Sequence, residues 1–68
     1  MSENVHDLRD TEGRGDLNVT AFAGPHGIGP CLQFTVTDYA GAKFIAADYA
    51  AVELLHDALG AWLLDRML

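Results

Sequence analysis

Between Leu17 and Thr37 the chain carries no formally charged residue, and two period-two alternations flank one glycine-proline segment there. Leu17, Val19, Ala21 and Ala23 alternate with Asn18, Thr20 and Phe22. Further on, Leu32, Phe34 and Val36 alternate with Cys31, Gln33, Thr35 and Thr37. Successive side chains of a strand point to opposite faces, so this period specifies two strands, each with one aliphatic face. The segment Gly24-Pro25-His26-Gly27-Ile28-Gly29-Pro30 between them holds three glycines and two prolines. That composition excludes regular structure and predicts a hairpin loop longer than the two-residue kind.

Asp38-Tyr39-Ala40-Gly41 reads as the next turn, and a short third strand follows over residues 42–47. Asp48 then suits an N-cap, its carboxylate accepting from free amides of the first helical turn. The helix is predicted from Tyr49 to about Met67. At roughly 100° per residue, Val52, Leu55, Leu59 and Leu63 fall in one stripe with Trp62 on its flank. The expected fold is therefore α+β, a three-stranded antiparallel meander packed on one C-terminal helix. The helical stripe is expected to face Leu17, Val19, Leu32, Phe34, Val36 and Phe44. The other sheet face would present Thr20, Phe22, Gln33, Thr35, Lys43 and Ile45.

Residues 1–15 differ from everything after them. They are polar and charged, with Val5 and Leu8 the only sizeable aliphatic side chains besides Met1, and Gly13 and Gly15 punctuate their end. They are expected to form a flexible acidic arm ahead of a single domain at 16–68.

Sixty-eight residues allow one domain, which would bury only about 60% of the surface of the unfolded chain. Half the residues are hydrophobic, so the chain is too apolar to be disordered throughout. Tiny folds usually rely on a disulfide, a metal or association. The single Cys31 cannot form an internal disulfide, and three histidines spread over fifty positions with it make a poor zinc site. Association, with a second copy or another protein, is the support left open.

The lone cysteine fits a reducing compartment. The start, Met1-Ser2-Glu3-Asn4, has neither the basic beginning nor the apolar core of a signal peptide. The sequence-level expectation is a soluble cytoplasmic protein. Its net charge of -6 repels phosphate backbones, so direct nucleic-acid binding is not expected. The charge serves solubility, or it serves docking on a basic protein surface.

No catalytic or cofactor pattern emerges. The glycine-rich loop resembles a phosphate loop only in composition, since it leads into a strand and carries no lysine. Cys31 has no basic neighbour at a spacing that would activate it. His56 and Asp57 are sequence neighbours about 100° apart on a helix, not a dyad by spacing. No enzyme, metal site or cofactor is expected. The candidate partner-binding residues are Glu53, Asp57 and Asp65 on the outer side of the helix, Leu54 and Leu64 beside them, and His26 in the loop. Several exposed leucines on one side suggest a contact rather than solvent. The competing reading makes the acids a solvated helix face.

The glycine-proline hairpin, the run Cys31-Leu32-Gln33-Phe34-Thr35, and Phe44-Ile45-Ala46-Ala47-Asp48 entering Ala50-Ala51-Val52-Glu53-Leu54-Leu55 together give residues 17–64 a recognisable layout. In size, charge and layout it resembles small acidic proteins of bacteriophages and mobile elements, of the anti-CRISPR type. That resemblance implies a non-catalytic inhibitor acting in a host cytoplasm, bound to a nucleic-acid-binding effector complex. The alternative is a small homodimeric structural or accessory protein with no inhibitory role.

Overall fold

The computed structural model describes residues 2–67. Four antiparallel strands form one sheet: β1 (Glu3–Arg9), β2 (Gly15–Ala23), β3 (Pro30–Asp38) and β4 (Gly41–Asp48). One helix, α1 (Tyr49–Met67), follows them. The strands lie in chain order, with β1 and β4 at the edges. The fold is α+β, as the patterning predicts, but the sheet has four strands where three are expected.

The extra strand is the stretch read as a flexible arm. β1 pairs with β2 through Glu3–Ala21, His6–Val19 and Leu8–Leu17, with a bulge between Asn4 and His6. The bulge inserts one residue, Val5, and shifts the face on which later side chains fall. Val5 and Leu8 therefore stand three apart, and the strand shows no period-two signature in the sequence. Polar pairing holds its other face: Asn18 Nδ2 donates to Asn4 Oδ1 at 2.6 Å and to Asp7 Oδ1 at 2.5 Å.

Two connections are specified by single residues. Between β1 and β2, the Asp10 carboxylate accepts from the backbone amides of Glu12 (3.2 Å) and Arg14 (3.1 Å) and from Arg14 Nε (3.3 Å). Between β2 and β3, the Ile28 amide donates to the Pro25 carbonyl at 2.9 Å, closing a turn whose third residue, Gly27, has φ 89°. A positive φ at that position is the type II pattern that favours glycine. Gly24 serves a different need. A Cβ there would overlap the Gly29 carbonyl oxygen and lie 2.6 Å from Cys31 Sγ, so the missing side chain is what lets the buried thiol in.

Cross-strand partners share a face, so the register sorts the sheet into two sides. Leu17 pairs with Val36, Val19 with Phe34 and Ala21 with Leu32; Phe34 pairs with Ile45 and Val36 with Lys43. One face thus carries Leu8, Leu17, Val19, Leu32, Phe34, Val36 and Ile45. The other carries Asn18, Thr20, Gln33 and Thr35 together with Phe22, Phe44 and the buried Cys31. Two expectations are corrected here: Ile45 and Lys43 belong to the apolar face and Phe44 to the polar one. The parity of β4 follows from the tight Asp38–Gly41 pairing at its turn, which hydropathy alone does not reveal.

α1 begins directly after β4. The Asp48 carboxylate accepts from the Ala51 amide at 3.0 Å, the expected N-cap. With no connecting residue, the helix does not fold back over the sheet. It touches only β3 and β4, and neither β1 nor β2. The expected packing of the whole helical stripe over the sheet is therefore not made. Val52 is half-buried, but Leu55, Leu59, Trp62 and Leu63 are exposed. Among the described residues only Val19 (8%) and Cys31 (7%) are buried, and Phe34 is half-buried.

Candidate docking surfaces

The outer side of α1 collects the acids singled out from the sequence. At about 100° per residue, Glu53, Leu54, Asp57, Ala61, Leu64 and Asp65 lie opposite the Leu55–Leu59–Leu63 stripe. All six are exposed, Leu54 at 72% and Leu64 at 60%. Carboxylates and leucines therefore alternate along one accessible side.

The three acids are electrostatically unequal. Asp65 Oδ2 accepts from Arg66 Nη1 at 2.6 Å, and the same guanidinium lies 5.0 Å from the centre of the Trp62 ring. That local cation offsets the charge of Asp65. Asp57 Oδ1 lies 3.3 Å from His56 Nδ1, closer than the helical spacing suggests. Both side chains of the pair are strongly exposed. Glu53 has no ion-pair partner among the described residues and is the acid most available to another molecule.

His26 stands apart from this group. Ala23 pairs with Pro30, and Cys31 with Asp48, so the Gly24–Gly29 loop and the start of α1 occupy the same end of the sheet. Leu64 and Asp65 follow Asp48 by 16 and 17 residues, roughly 24 Å along the helix. Glu53, Leu54 and Asp57 form one cluster, Leu64 and Asp65 form a second farther out, and exposed His26 belongs to neither.

Sequence patterning overlooked two features. At the opposite end of the sheet, an open groove of about 470 Å³ is bordered by Leu8, Asp10, Arg14, Leu17, Val36 and Tyr39. Within it the Asp10 carboxyl is held below its ordinary value of 3.8, chiefly by the Arg14 amide, which outweighs an opposing desolvation, with the Arg14 side chain adding to the lowering. The other feature is the uncovered apolar sheet face, where Ile45 is 69% exposed. Its signal lay in the register of β4 on β3.

Among the described residues, no three His, Cys, Asp or Glu side chains converge as a metal ion would require, and no helix is long and apolar enough to cross a membrane. The Cys31 thiol points at the Gly29 carbonyl, 3.6 Å away. No protein-family model, no curated protein and no solved structure matches the chain.

Proposed function

We propose that this chain is a non-enzymatic protein-binding module, a phage-type inhibitor that docks on a basic nucleic-acid-binding complex of a host cell. The supporting observation is the outer side of α1, where Glu53, Asp57 and Asp65 alternate with exposed Leu54 and Leu64. Carboxylates attract a groove built for phosphates and speed encounter. The leucines supply area that remains buried once the partner is reached. A net charge of -6 acts in the same direction.

The test compares the immobilised wild-type chain with a Glu53→Gln, Asp57→Asn, Asp65→Asn variant in a bacterial lysate. The screening length falls from about 8 Å at physiological ionic strength to about 3 Å at 1 M salt. The reading predicts that wild type retains nucleic-acid-binding proteins at physiological salt, and that high salt or the triple change releases them. Retention of the same proteins by the variant at high salt would overturn it.

A second reading is a homodimeric accessory protein with no inhibitory role. The uncovered apolar sheet face favours it, because that face needs a cover whether or not α1 has a target. Under this reading the carboxylate changes have no effect on retention, and association depends on apolar residues alone.

A further inference from the structure

We infer that two copies of this chain complete each other's core by reciprocal helix exchange, with α1 of each copy lying along the apolar face of the other copy's sheet. The first argument is area. A folded monomer of 7.3 kDa exposes about 4,200 Å² by the usual scaling of surface with mass, whereas this chain exposes 5797 Å². The excess is about 1,600 Å² per chain. Covered mutually, it amounts to roughly 3,200 Å² over two copies, within the range of obligate homodimers and well above a weak encounter.

The second argument is complementarity within one chain. The sheet face of Leu17, Val19, Leu32, Phe34, Val36 and Ile45 lacks a helix. The stripe of Leu55, Leu59, Trp62 and Leu63 lacks a sheet. A 19-residue helix is about 28 Å long at 1.5 Å per residue, and a nine-residue strand spans about 30 Å. The helix is thus the right length to run along the strands. Within one chain α1 reaches only β3 and β4, because it starts at the residue after β4 with no segment to reverse direction.

The third argument is symmetry. A donor and an acceptor surface on the same chain can close a two-fold pair in which each copy gives and receives the same contact. Exchange consumes both apolar surfaces and leaves neither to continue the assembly. It also keeps Glu53, Asp57, Leu54 and Leu64 outside, because they lie opposite the donated stripe. The dimer and the proposed docking side are therefore independent, and either can fail alone.

The test uses the wild-type chain. Sedimentation should give twice the 7.3 kDa chain mass. In a sample mixing isotope-labelled and unlabelled chains, filtered nuclear Overhauser spectra should connect Trp62 or Leu59 of one chain to Phe34 or Ile45 of the other. Leu59→Glu, on an exposed helical position, should halve the sedimenting mass, with the sheet and helix signals of circular dichroism falling together. A wild-type mass of one chain would overturn the inference. So would intermolecular contacts running only from helix to helix or only from sheet to sheet, or a Leu59→Glu variant that remains dimeric. A lysate partner that binds a monomeric chain through Glu53 would sink the exchange and leave the docking proposal standing.

Discussion

Phe34 on β3 stands directly opposite Ile45 on β4, Phe34 half-buried and Ile45 69% exposed. Side chains so placed contribute most when a second layer removes them from water, at about 25 cal/mol per Å² of apolar area. In this protein that layer must be supplied from outside the chain. The two sites should therefore behave as interface residues. Phe34→Ala and Leu59→Ala should each shift the dimer towards monomer, whereas Phe44→Ala, on the polar face, should not. Sedimentation across a dilution series reads the difference, and equal effects of all three changes would contradict the face assignment.

β1 makes the N-terminal segment necessary. A chain starting at Gly15 loses the strand that covers Val19, one of two buried apolar side chains, and leaves the β2 edge unpaired. Full burial of a valine contributes about 1.5 to 3 kcal/mol, and a free edge promotes aggregation. The truncated chain should unfold at lower denaturant concentration than the full chain or precipitate. Unchanged unfolding would show that β1 adds no stability.

Much of the fold was legible in the sequence. Both central strands, the intervening loop, the N-cap at Asp48 and the helix at Tyr49–Met67 follow from alternation, glycine and proline placement, and helical periodicity. β1 was hidden because its bulge removes the period on which strand patterning depends, and its partners Asn4, Asp7 and Asn18 are polar. The helix-sheet relation was hidden for another reason. Two apolar surfaces in one sequence suggest that they meet, and only the absence of a linker after Asp48 keeps them apart. The acidic residues of α1 are exposed, and periodicity does not show that Arg66 reaches Asp65.

The two glycines at positions 24 and 60 should respond oppositely to alanine. At Gly24 the added methyl meets a backbone carbonyl and a buried sulfur, and forced overpacking costs about 1 to 3 kcal/mol. At Gly60 nothing lies within 4 Å of the new Cβ, and alanine is better than glycine in a helix interior by about 0.8 to 1 kcal/mol. Chemical denaturation of the two variants should place them on opposite sides of wild type. A stabilising Gly24→Ala would mean that the loop closes differently.

Asp10 gives the fold an acid-sensitive element. Its folded carboxyl titrates below the ordinary value of 3.8, chiefly because the Arg14 amide favours the charged form. A depressed folded value contributes stability above the unfolded value, and the contribution is lost as pH falls through the folded one. The loss from this group therefore lies below about pH 3.8. Asp10→Asn keeps an acceptor for the turn amides but removes the titration. Thermal unfolding should fall less steeply with acid in that variant than in wild type, and identical slopes would remove Asp10 from the account.

The dependence of thermal unfolding on protein concentration tests most directly whether one chain is an incomplete folding unit. Where the native state is a dimer and the unfolded state a single chain, mass action raises the midpoint as concentration rises. Circular dichroism melts over a hundredfold range of concentration should show the midpoint of wild type climbing steadily, with sheet and helix signals lost together. A midpoint that stays fixed across that range, for a species sedimenting as one chain, would contradict the account.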